Sequence, residues 1–198
     1  MIPTPMPRFL LPFVAMLVAL TAMTSAQSSP TPASTQAPLQ VGDRLPPLEG
    51  EFLTGRDARL PDVAAGQVAF VALGFTYASR YPVEAWVGWF KQRYGSRPGT
   101  TFFEVPVIGG MARMGRWFID SGMRRGTPKE LHEHVITVYG GSGEWKRRLA
   151  VRNDEAASLV LLDQSGAIRW MHEGGFDEAA AAEAGRVIEQ LLAAPPPR

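Results

Sequence analysis

The residues best suited to chemistry are three histidines, His132, His134 and His172. His132-Glu133-His134 alternates in a way that would aim two imidazoles to one side of a strand, and His172-Glu173 at a neighbouring strand end could complete a metal site. The competing reading places His132 on a short helix, where it does not face His134 at all. It is preferred because two of the ligands would straddle a helix–strand boundary, so no metal or other cofactor is expected. Nucleophiles are scarcer still. The chain has no cysteine, which excludes thiol–disulfide exchange and thiol-based peroxide reduction, since both need a thiolate. No G-x-S-x-G elbow is present: Gly141-Ser142-Gly143 lacks the spacing, and Ser142 reads as the cap of a helix from Gly143 to Ala150. Gly140-Gly141 is a turn without a phosphate-loop lysine. Glu84, Glu104 and Asp120 are available for general acid–base work, but no pair stands out.

Charge excludes another class. The formal net charge is +1 with no long block of one sign, so nucleic acid is not an expected partner. Short basic clusters at Arg113 and Arg116, at Arg124-Arg125 and at Lys146-Arg147-Arg148 read as solvated helix faces. The sharper alternative is attraction to anionic lipid headgroups or to an acidic partner. Five tryptophans and eight methionines supply more apolar bulk than a small core uses with ease. Trp89 falls at the margin of its helical stripe, and Tyr77 and Tyr81 lie on a loop, where aromatics mark a contact surface.

The elements that must position these groups are read from periodicity. Gln67 to Phe75 is a continuous apolar run, the pattern of a strand buried on both faces. Pro82 to Tyr94 places Val83, Trp86, Val87, Phe90 and Tyr94 at helical spacing, with Pro82 suited to the first turn. Thr101 to Val107 returns as a strand, which implies a parallel crossover. Met111, Met114, Trp117 and Phe118 then recur at helical spacing in a segment weakened by Gly110, Gly115 and Gly122. Thr127-Pro128-Lys129-Glu130 has the form of a capping box opening a short helix. His134 to Tyr139 reads as a strand. Ser158 to Asp163 and Ala167 to His172 form a hairpin about Gln164-Ser165-Gly166. Asp177 caps a final helix with an apolar stripe of Val187, Ile188, Leu191 and Leu192. Leu48 to Leu60, turning at Thr54-Gly55-Arg56, reads as an added hairpin.

The ends organise the whole. Arg8, the apolar run Phe9 to Met23, and Thr24-Ser25-Ala26 have the order of a secretory signal, with cleavage expected after Ala26 and an uncleaved anchor as the alternative. Residues 27–40 are Ser, Thr, Pro, Ala and Gln with few large apolar groups, a flexible tether by composition. Residues 41–193 form one domain of about 150 residues, enough to enclose a single core. The expected location is outside the cytoplasm, in the periplasm or secreted.

Several phrases within that domain resemble the thioredoxin-like superfamily in its redoxin variant. Val41-Gly42-Asp43-Arg44-Leu45-Pro46 resembles the opening of exported TlpA-like and peroxiredoxin-like domains. Leu60-Pro61-Asp62-Val63 with Gly66 is similar to the step before their first core strand, and Leu161-Leu162-Asp163-Gln164-Ser165-Gly166-Ala167-Ile168-Arg169 to their terminal hairpin. The resemblance implies an α/β fold of three layers, α/β/α, with a central mixed sheet and an added N-terminal β-hairpin. Where those relatives carry C-x-x-C at the start of the first core helix, this chain has Ala78-Ser79-Arg80-Tyr81-Pro82. Where they carry a cis-proline it has Ala157, for which a trans peptide is expected, a non-proline cis bond costing ~3 kcal/mol. A more distant likeness, carried by Phe75, Trp86, Phe103-Glu104-Val105-Pro106, Met123-Arg124 and Ile168-Arg169-Trp170, is to the mitochondrial factors that chaperone a membrane-sector subunit of ATP synthase.

The resemblance, with its redox residues replaced, implies binding without chemistry. A protein or peptide client of the cell envelope would be held by Tyr77, Ser79, Arg80, Tyr81 and Ala157, on the loop from Phe75 to Pro82 and the turn before Ser158. Membrane proximity would come through an uncleaved signal or the basic clusters. The rivals are an enzyme rebuilt around Ser79 and Tyr81 or around the histidines, and a structural domain without activity.

Overall fold

The computed structural model describes residues 37–110 and 115–194. A hairpin of β1 (Leu48–Phe52) and β2 (Asp57–Leu60) precedes β3 (Val68–Gly74), α1 (Arg80–Tyr94) and β4 (Thr100–Ile108). Then come α2 (Arg116–Gly126), β5 (Ile136–Tyr139), α3 (Ser142–Arg148), β6 (Ala157–Leu162), β7 (Ile168–Gly174) and α4 (Glu178–Ala193). The strands form one mixed sheet in the order β2-β1-β5-β4-β3-β6-β7. β3, β4 and β5 run parallel, whereas β6, β7 and the added hairpin pair antiparallel.

The strand at the centre explains the layers. Successive side chains of β3 point to opposite faces, and Val68, Phe70 and Ala72 join a core roofed by Trp86, Phe90, Ala184 and Ile188 of α1 and α4. Ala69, Val71 and Leu73 join the opposite core, which holds Leu48, Ile136, Val160 and Trp145 of α3. A strand that feeds two cores must be apolar throughout. The five α1 positions spaced for burial are the five that α1 buries.

Local grammar fails in five places. The first core helix starts at Arg80, two residues before Pro82, because Ser79 already adopts helical dihedrals. Thr127 and Glu130 form no capping box: Thr127 is the extended residue after α2, and Lys129–Leu131 is a single 3-10 turn without a side-chain cap. A reciprocal cap needs an α-helical first turn, and here the chain must turn at once into β5. Ser142 is the first residue of α3; its cap is Gly141 at φ +67°, a left-handed position that suits glycine. Leu39, expected in the tether, is docked, its amide donating to the Arg148 carbonyl at 2.7 Å while its side chain packs on the core. Trp117 and Phe118 are exposed on α2, not core; Met111 and Met114 lie outside the described residues, as do the expected signal and most of the tether. Asp177 does cap α4, accepting from the Ala180 amide at 2.7 Å.

Candidate functional site

β3 delivers the chain to the end of the sheet, and the turn from Phe75 to Ser79 redirects it into α1. Ser79 makes that turn. Its hydroxyl donates to the Thr76 carbonyl at 2.7 Å and accepts from the Thr76 amide at 3.2 Å, while its own amide donates to the Thr76 hydroxyl at 3.3 Å. Ser79 has no exposed surface, and a Cβ on Gly74 would stand 2.7 Å from its hydroxyl oxygen. A glycine at the end of β3 is thus what leaves room for the serine. Ser79 is corrected from a contact residue to a buried brace, because its hydroxyl is fully engaged by the backbone it bends.

The residues around it point outward. Tyr77 and Tyr81 are 75% and 58% exposed. The Arg80 guanidinium lies 4.6 Å from the centroid of one ring and 4.5 Å from the other. It donates to the Tyr77 hydroxyl at 2.7 Å and to the Tyr81 hydroxyl at 3.3 Å. Two aromatic faces hold one cation, an arrangement contributing ~0.5–1 kcal/mol per pair at exposed sites. It holds a long side chain in one position. No acidic residue occupies the first turn of α1, so Arg80 adds to the positive end of the helix dipole.

The turn before β6 comes to the same place. The Thr76 hydroxyl donates to the Asp154 carbonyl at 3.2 Å, and Asp154 pairs with Lys146 of α3 at 2.7 Å. Glu173 accepts from the amides of Arg152 and Asn153 at 2.8 and 2.7 Å. Burial would raise its carboxyl, but those amides and the Arg152 guanidinium hold it below the usual range. Ala157 itself is fully buried and paired with Gly174 of β7. It is corrected to a core residue, since as the first residue of β6 it faces the core under α1 and α4. The one cis peptide bond among the described residues is Leu60–Pro61, so Ala156–Ala157 is trans. Beside β6 a hollow of about 280 Å³ is lined by Leu149, Ser158, Met171 and Glu173. The buried Ser158 hydroxyl there has no protein partner.

The histidines are not brought together. A ring nitrogen of His132 lies 3.0 Å from the Thr127 carbonyl, and one of His134 lies 3.0 Å from the Phe102 carbonyl. His134 also stacks on Phe102 at 4.2 Å and His172 on Trp170 at 5.7 Å. β5 and β7 are four strand spacings apart, ~19 Å, so His134, two residues before β5, and His172 in β7 cannot share an ion. Among the described residues no three His, Asp or Glu side chains are placed to hold a metal.

Two of the carboxylates available for acid–base work, Asp120 and Glu104, have surroundings that the sequence does not reveal. Asp120 of α2 is buried and accepts from the Tyr139 hydroxyl at 2.7 Å; burial and that carboxylate push the Tyr139 phenol well above its usual range. Glu104 of β4 is raised by burial and by Glu84, with Lys91 opposing. Neither could be read from spacing, because each partner lies on a different element. Of the basic clusters, Lys146 and Arg148 are paired with Asp154 and Glu144.

No protein-family model and no curated protein matches the chain. Solved structures do. The Chlorobium tepidum protein assigned as the thiol:disulfide interchange protein DsbE is 20% identical, over 78% of this chain and 99% of its own, with a TM-score of 0.53. The thioredoxin domain of a thiol-disulfide oxidoreductase from Bacteroides vulgatus is 17% identical over 76% and 99%, at 0.51. BsSco, a member of the Sco family of cytochrome c oxidase assembly proteins, is 10% identical over 77% and 96%, at 0.52. The chain has the thioredoxin-like fold. At these identities the likeness extends to the fold alone, and this chain carries it without a cysteine.

Proposed function

We propose that this is a non-redox, cysteine-free thioredoxin-like protein of the cell envelope that holds a protein or peptide client, as a chaperone or assembly factor, through Tyr77, Arg80 and Tyr81. The observation that carries the reading is the exposed guanidinium held between two exposed tyrosines, at the helix start where the redox members of the fold place their cysteines. Tyrosine and arginine are the residue types in which binding energy concentrates. A preformed cluster also loses less side-chain entropy on binding. A client segment carrying a carboxylate or an aromatic ring complements it. That BsSco belongs to a family of assembly proteins supports the view that this scaffold serves assembly. The signal-like N-terminus supports export; among the described residues no helix is long and apolar enough to cross a membrane.

The test is a double substitution, Tyr77→Ala with Tyr81→Ala. Both side chains are exposed, so the stability change should stay within ~0.5 kcal/mol. Partners recovered from envelope extracts with the parent chain and identified by mass spectrometry should be lost. Retention of every partner by a folded double variant would exclude this surface.

A further inference from the structure

We infer that the outward face of α2 docks on an anionic lipid surface. An amphipathic helix of a globular domain turns its apolar side inward; α2 does the reverse. Its inner side half-buries Ile119 and Met123 but is fastened by polar groups. Asp120 accepts from Tyr139, Arg116 pairs with Glu51 and lies 3.6 Å from Asp120, and Arg124 donates to the Leu53 carbonyl at 2.7 Å. Asp120 is the single buried residue of the helix. On the outer side stand Trp117 and Phe118, 69% and 74% exposed and in edge-to-face contact at 4.9 Å.

The arginines bordering this aromatic pair are more exposed than the carboxylates that seat them. The carboxylates lie beneath, the Glu51 and Asp120 side chains being 27% and 10% exposed, while those of Arg116 and Arg124 are 46% and 39% exposed. Arg125 donates to the Ser121 carbonyl and has no carboxylate partner among the described residues. Bulky rings bordered by arginines are what an interfacial helix presents to negative headgroups. A bilayer admits the two rings without a surface of matching shape, and the bordering arginines favour negatively charged headgroups. The first turn of α2 touches Tyr139 at the carboxyl end of β5. α1 leaves β3 at the same end of the parallel strands, so docking would set the tyrosine loop beside the membrane.

Because the chain has no cysteine, a single introduced thiol reports one place. In the full chain, Gly122→Cys on the outer side of α2 and Gly88→Cys on α1 both enter open space. Each is labelled with an environment-sensitive fluorophore. Vesicles of equal parts phosphatidylglycerol and phosphatidylcholine should raise emission at position 122 and leave position 88 unchanged. Adding Trp117→Ala and Phe118→Ala should weaken the response at least ~10-fold, and Arg125→Gln about fivefold. A flat signal at 122, an equal rise at 88, persistence in the double variant, or an equal response to pure phosphatidylcholine would overturn the inference. Apolar residues 9–23 are common to every variant, so attachment through them alone gives the flat result. None of these outcomes depends on the client reading.

Discussion

Replacing Ser79 by alanine separates a brace from a contact. The substitution deletes one bond donated to the Thr76 carbonyl at 2.7 Å and one accepted from its amide at 3.2 Å, at a residue without exposed surface. Each bond contributes ~1 kcal/mol net, and the half-buried amide left behind adds a desolvation cost, giving a loss of about 2–3 kcal/mol. At ~2–4 °C per kcal/mol for a domain of this size, Tm should fall by roughly 4–12 °C. Urea unfolding followed by the fluorescence of buried Trp86 and Trp170 should show a lower midpoint with an unchanged slope, the mark of altered stability in an unaltered fold. Well below that midpoint the variant should keep whatever envelope partners the parent chain recovers, because Tyr77, Arg80 and Tyr81 remain. An unchanged midpoint with loss of those partners would refute the reasoning and make Ser79 a contacting group. The tyrosine double variant should give the mirror image, with binding lost and stability kept.

Two carboxyl groups should respond to pH in opposite directions. Glu104 is raised above 4.5 in the folded chain, so folding is penalised as pH climbs past the unfolded value and the penalty is complete above the folded one. Glu104→Gln should therefore stabilise at neutral pH, with a gain that vanishes below about pH 4 in urea titrations at each pH. Asp163 of the β6–β7 turn is 5% exposed; burial would raise it, but the Ser165 hydroxyl, the Ala167 and Ser165 amides and Arg169 hold it below 3.8. Its contribution is present above the unfolded value and lost as pH falls through the folded one. Asp163→Asn should cost about 3 kcal/mol at neutral pH, a difference that shrinks in strong acid; a constant difference across the range would place its origin in packing.

Period and punctuation reveal what a segment will be. The apolar run of β3, the buried stripe of α1, the Gln164-Ser165-Gly166 turn and the Asp177 cap were all legible, because each is written within a few neighbouring residues. So was the absence of thiol chemistry, which is a matter of composition. The redoxin-like order of elements is legible from periodicity and from the scaffold phrases that agree with it. Less was legible about the site. The loop position of Tyr77, Arg80 and Tyr81 is legible, whereas the burial of Ser79 and Ala157 beside them is not.

Which groups meet across the sheet was decided by the tertiary structure. Strand order sets β5 and β7 four spacings apart and so separates the histidines. It also brings β1 and β5 beneath α2, where Glu51, Asp120 and Tyr139 supply the polar seat that turns Trp117 and Phe118 outward. A helix carries its own period, but the side it buries depends on what the neighbouring strands offer it, and that offer comes from residues tens of positions away.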